Sequence, residues 1–194
     1  MVVGSHLIWT AYGWWLPNDP RGSSSHEIRV ERIAALGDLH EGRKPIQPVP
    51  AELRRFHHIA SGVLTHPLLL LTDQEIDLVG QALGVAVQDR GWTCYACAIL
   101  PDHIHLLIRR HRDKAETMID YFQDVSRQAL IVEKLRPASH PVWGGPGWKV
   151  YKSTRREMEQ AVKYIEDNPV KARRPRQKWS FVRKYDGWMP AYSG

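Results

Sequence analysis

The apolar positions of this chain follow two periods, and the switches between them mark out its elements. From Ala98 to Ile108 the pattern is that of strands, with His103, His105 and Leu107 on one face and Ile104, Leu106 and Ile108 on the other. Trp92–Leu100 and His103–Arg109 therefore predict a hairpin with Pro101 and Asp102 at its turn. His6–Tyr12, rich in strand formers, predicts an earlier strand that stops at Pro17–Pro20 and Gly22–Ser25. A helical period takes over elsewhere. Ala51–Val63 reads as a short helix, and Thr72 with Glu75 forms a capping box for a longer one, whose buried stripe is Ile76, Val79, Leu83 and Val87 and whose end is Gly91. Asp113 to about Leu135 repeats the pattern through Met118, Ile119, Phe122, Val125 and Leu130. After a Trp143–Trp148 loop come a brief strand, Lys149–Lys152, and a helix capped by Ser153 or Thr154. That helix is expected to end at Asn168, because a residue before proline avoids the helical region.

Between 17 and 50 no period is sustained, and the segment is read as an excursion from the domain. Trp14, Trp15 and Arg21 flank its opening, where DNA contact and simple packing are both open. The chain of 194 residues, 43% hydrophobic and 25% charged, suits one domain over 1–170 followed by a basic tail over 171–194. A net charge of +6 favours polyanionic partners, nucleic acid first, and eight tryptophans offer surfaces on which bases could stack. Cys94 and Cys97 are expected on opposite faces of their strand, which argues against a shared zinc site or a local disulfide and fits a reducing compartment. No apolar run approaches the ~18 residues of a membrane span, and the N-terminus lacks the pattern of a signal peptide. The expected location is the cytoplasm, with no membrane partner.

The chemistry concentrates in two places. Two imidazoles side by side, His103 and His105, can reach one divalent ion from a strand without backbone strain if a third group joins them; the plain alternative is a half-buried strand with two polar-face histidines. On the last helix Met158, Ala161, Val162 and Ile165 form the core stripe, while Tyr164 lies off it with Asn168 one turn above and Gln160 one turn below. If that helix packs beside the histidine strand, Asn168 can supply an oxygen ligand and Tyr164 can point at whatever the metal binds. A phenol with its usual pKa of ~10 attacks phosphorus only where an ion polarises the phosphate. A surface tyrosine lying on its helix is the alternative.

The order Leu100-Pro101-Asp102-His103-Ile104-His105, then Trp148–Tyr151, then Tyr164–Pro169, resembles the single-tyrosine transposases of the His-hydrophobic-His (HUH) endonuclease superfamily, most of all the branch associated with repetitive extragenic palindromes. The resemblance implies an α+β, ferredoxin-like antiparallel sheet with helices on one face and the active site on the other. It implies His103 and His105 as metal ligands, Asn168 as the third, Tyr164 as nucleophile, and magnesium or manganese as the metal. The implied activity is cutting single-stranded DNA near hairpins through a 5′-phosphotyrosine that frees a 3′-hydroxyl. The Trp14–Gly22 loop and the Gly144–Gly147 loop depart from the compact pattern of that family.

Candidate DNA contacts come from the strand end, Arg109 and Arg110, and from the tail, Lys171, Arg173, Arg174, Arg176, Lys178 and Trp179, whose charges could neutralise phosphates while the ring stacks on a base. Two other readings fit the same residues: a non-catalytic hairpin-DNA-binding module, and a zinc hydrolase of a small substrate with Asp102 or Glu166 as base. The spacing allows a monomer or a homodimer.

Overall fold

The computed structural model describes residues 1–23, 25–42 and 44–191, so the last three residues of the basic tail lie outside the described part. Its elements are β1 (Gly4–Thr10), α1 (Glu31–Ala34), α2 (Pro50–Val63), α3 (Asp73–Asp89), β2 (Cys94–Ile99), β3 (His103–Arg109), α4 (Ala115–Val132), β4 (Trp148–Lys152) and α5 (Arg155–Lys171). The four strands form one sheet in the order β2-β3-β1-β4, and every neighbouring pair is antiparallel. This is the ferredoxin-like arrangement within an α+β fold.

Strand alternation divides the core into two layers. Leu7 and Trp9 of β1, with Ile104, Leu106 and Ile108 of β3, face α3 and α4, where they meet Ile76, Val79, Leu83, Met118 and Phe122. Trp9 stacks on Phe122 with ring centres 6.0 Å apart, and Trp92 approaches the same ring to 4.8 Å. On the opposite face Tyr95, Ala96, Ala98 and Leu107 pack under Met158, Ala161 and Ile165 of α5. Gly4 is fixed by close approach, because a Cβ there would lie 2.9 Å from the Ile108 carbonyl oxygen as well as 2.8 Å from the movable Met158 thioether. The histidine face of the sheet is thus the face that α5 covers. Capping boxes start two of the three long amphipathic helices that flank the sheet, Thr72 with Glu75 for α3 and Thr154 with Glu157 for α5, whereas α4 begins without a side-chain cap.

Three expectations change. Cys94 and Cys97 share the α3/α4 face, because a β-bulge between Cys94 and Ala96 inserts one extra residue against β3 and resets the alternation. Helix α5 runs through Pro169 to Lys171. The proline sits buried in the last turn, where its missing N–H costs one hydrogen bond while its ring packs. The 17–50 excursion folds back on the loop after β1: buried Asn18 donates to the Ile33 carbonyl at 2.6 Å, and the His40 amide donates to the Pro17 carbonyl at 2.9 Å.

Candidate functional site

Antiparallel pairing sets Thr10 opposite His103, Ile8 opposite His105 and His6 opposite Leu107, so His6, His103 and His105 stand on one face of the sheet. His103 and His105 have ring centres 4.8 Å apart, and His6 lies 5.0 Å from His105. The His6 Nε2 and His105 Nδ1 atoms are 3.0 Å apart. His105 is buried, and its Nε2 has no hydrogen-bond partner. An imidazole nitrogen buried without a partner costs free energy unless something binds it, and a cation is what a neutral nitrogen lone pair suits. If Nε2 carries that ligand, the His105 proton resides on Nδ1 and is donated to His6 Nε2.

The electrostatics agree with neutral imidazoles. Burial, helped by the Lys152 charge, pushes His6 down to about 4. Burial, with the charges of His103 and His6, holds His105 well below the ordinary histidine range. Asp102 Oδ1 lies 2.7 Å from His103 Nδ1, which orients this ring and leaves its Nε2 as the nitrogen available to a ligand. Burial raises the Asp102 carboxyl, but the hydrogen bond and charge of His103 outweigh it and keep the group below the usual carboxylate range. An Asp102 so engaged orients the His103 ring and does not stand free as a base. Each histidine of the pair therefore has its own supporting residue, Asp102 for His103 and His6 for His105.

Helix α5 brings Tyr164 to this cluster. Its ring meets His105 edge-on at 5.6 Å and His6 at 5.9 Å, and the residue is 47% exposed. Lys171 Nζ sits 5.0 Å from the centre of the same ring. Asn168 turns its Nδ2 onto the Tyr164 carbonyl at 2.9 Å, so only its Oδ1 remains to bind a cation. No group of three or more His, Cys, Asp or Glu side chains that could hold a metal occurs among the described residues, so an ion on the histidine pair would require an oxygen from another residue type or from substrate.

The candidate DNA contacts divide. Arg110, Lys171, Arg173 and Lys178 are exposed. Arg109 lies over the Trp188 ring at 3.6 Å, Arg176 pairs with Asp167 at 2.8 Å, and Arg174 pairs with Asp73. Trp179 does not stand ready to stack on a base: its ring seats on Gly80 of α3, where an added Cβ would come within 2.0 Å of it. The segment after α5 is held to the domain as well as charged. Gln177 bonds both the amide and the carbonyl of Ile99 at the open edge of β2, and Arg183 donates to the Cys94 carbonyl at 2.8 Å. His6 is the site residue that the sequence pattern did not single out.

Solved structures that resemble the chain include two transposases. A REP-associated tyrosine transposase bound to a REP hairpin aligns over 89% of this chain and 70% of its own, at 12% identity and a TM-score of 0.46. A candidate transposase from Deinococcus radiodurans R1 aligns over 86% of this chain and 91% of its own, at 14% identity and a TM-score of 0.39. No family model and no curated protein matches the chain. No helix among the described residues is long and apolar enough to cross a membrane.

Proposed function

We propose that the protein is a metal-dependent endonuclease and strand transferase of single-stranded DNA, transposase-like, working through Tyr164. The observation that supports this most is the buried, unpartnered His105 Nε2 beside the half-exposed Tyr164 phenol. His103 and His105 would hold magnesium or manganese through their Nε2 atoms, with Asn168 Oδ1 as third ligand; two imidazoles and an amide favour manganese. When bound, such an ion polarises the scissile phosphate and offsets the charge growing on its oxygens.

Tyr164 then attacks in line. Its Oη–P bond forms as the P–O3′ bond breaks, the phenolic proton passes to solvent, and the departing 3′ oxygen leaves as a hydroxyl after taking up a proton. The product is a 5′-phosphotyrosine, and attack on it by a 3′-hydroxyl reverses the step and joins strands with no outside energy, since one phosphodiester replaces another. Lys171, beside the phenol, together with Arg110, Arg173 and Lys178, supplies positive charge for the phosphates. The preference for strands flanking hairpins rests on the resemblance to the single-tyrosine transposases.

Incubation with labelled hairpin-flanked single strands tests this reading. We expect a protein–DNA adduct on a denaturing gel with manganese, none with chelator, none with Tyr164→Phe, and at least a hundredfold less with His103→Ala or His105→Ala. An adduct that survives Tyr164→Phe rules out the nucleophile, and cleavage indifferent to both histidine variants rules out the metal site.

A further inference from the structure

The two adjacent tryptophans after β1 have opposite fates. Trp14 packs against the α3/α4 core, donates its indole N–H to the Leu69 carbonyl at 2.6 Å and meets the His57 ring at 4.4 Å. Trp15 belongs to neither apolar cluster of the described residues and is only partly buried. Its ring approaches His103 edge-on at 5.4 Å. Its backbone is in the left-handed region, φ 51°, which a bulky residue adopts at a cost of about 1–3 kcal/mol and which tends to gather at binding sites.

The ring is supported from behind. Arg21 lies over it, guanidinium 3.6 Å from the ring centre. Arg21 is itself held by a two-pronged contact with Asp19, Nε to Oδ1 at 2.9 Å and Nη2 to Oδ2 at 2.7 Å. The Asp19 side chain is 0% exposed, and His57 Nε2 stands 3.8 Å from the same carboxylate. A second contact locks the carboxylate, because Asp19 Oδ1 also accepts from the Arg21 amide at 2.9 Å. A buried acid, a clamped arginine and a tryptophan in a strained conformation thus form a chain that ends beside a candidate metal ligand. Core packing does not account for it, since Trp15 contributes to no core.

We infer that Trp15, backed by Arg21 and Asp19, is the stacking platform for a nucleobase of the single strand next to the scissile phosphate. This rests on the proposed function, because the ring's place beside His103 is what sets the base next to the phosphate. Stacking on indole tolerates any base, and the platform's rigidity means that little ordering is left to accompany binding. The later part of the excursion gains a purpose: Ile33 and His40 bond Asn18, Pro17 and the Asp19 carbonyl, and so brace the turn that holds Asp19 and Arg21.

The test uses full-length Tyr164→Phe protein, which binds without cutting, and an oligonucleotide hairpin with or without a single-stranded flank. Trp15→Ala is expected to weaken binding of the flanked hairpin roughly tenfold and leave the blunt hairpin unchanged, while Trp15→Phe keeps most of the affinity. An abasic site scanned through the flank should weaken the parent protein at one position and have no added effect there in Trp15→Ala. Equal binding of the flanked hairpin by Trp15→Ala, or an equal loss on both hairpins with Trp15→Phe no better, overturns the platform. Adduct formation with Tyr164 intact separates the two readings. If the parent forms adducts and Trp15→Ala matches it at every DNA concentration, the platform fails and the chemistry stands. If no adduct forms yet the flank-specific loss persists, the chemistry fails and the base contact stands.

Discussion

His6 on β1 and His105 on β3 face each other with Nε2 and Nδ1 3.0 Å apart, and the pair leaves the other His105 nitrogen buried and without a partner. In the proposed site His6 is a positioning residue: its lone pair would hold the His105 proton on Nδ1 and so keep Nε2 open for a cation. His6→Phe should reduce manganese affinity about 10- to 100-fold, while His6→Gln, which retains an acceptor, recovers part of it. Calorimetric titration with manganese, alongside unfolding curves that establish a folded variant, checks this.

In the proposed site Asp102 would perform the matching task for His103 from the hairpin turn. Asp102→Ala is expected to lower manganese affinity by about 10- to 100-fold as well. Asp102→Asn should lie between, since an amide oxygen still accepts from Nδ1–H. A variant that loses cleavage yet binds manganese normally would instead give Asp102 a role as base.

The segment after α5 is predicted to be a strap first. Trp179→Ala should destabilise the fold by about 2–4 kcal/mol, because it empties the seat on Gly80. DNA affinity of the folded fraction should be unchanged. By contrast Lys178→Ala and Arg173→Ala, both exposed, should leave the unfolding midpoint alone and each flatten the slope of log affinity against log salt by about 1.

Acid stability should depend on Glu75. This buried residue closes the α3 capping box and pairs with Arg136; burial raises its carboxyl, but the Arg136 and Thr72 contacts outweigh it and hold the group below its ordinary value. A carboxyl depressed on folding contributes stability that is complete above its unfolded value near 4.5 and is lost as pH falls through the folded value. Glu75→Gln should therefore destabilise by about 1–3 kcal/mol at pH 7 and show a shallower loss of stability below pH 4.5 than the parent in urea titrations.

Much of this was legible in the sequence, for a simple reason: alternation in β3 is unbroken, so the apolar Ile104, Leu106 and Ile108 had to face the helices and both histidines had to face away. The helical stripe of α5 likewise placed Met158, Ala161 and Ile165 inward and left Tyr164 beside the sheet. What failed were features set by tertiary context. A bulge cannot be counted from Cys94 and Cys97 alone, and burial of Pro169 repays its lost hydrogen bond in the last turn of α5. His6 went unnoticed because its value lies in the β1–β3 register, although a polar residue between the apolar positions of a strand was the signal available. The seating of Trp179 and Phe181 on Gly80 and Gly84 was not legible in the alternation of charge and aromatics after Pro169, because packing on a distant helix leaves no periodic trace.

The measurement that bears most directly on the central claim is mass spectrometry of the adduct. Protein trapped on a hairpin-flanked single strand with manganese is digested with nuclease and trypsin, which releases the peptide Tyr164–Lys171. This peptide should carry the mass of a 5′-linked nucleotide on Tyr164. A nucleotide on any other residue, or a cut strand with no nucleotide on the protein, would contradict it.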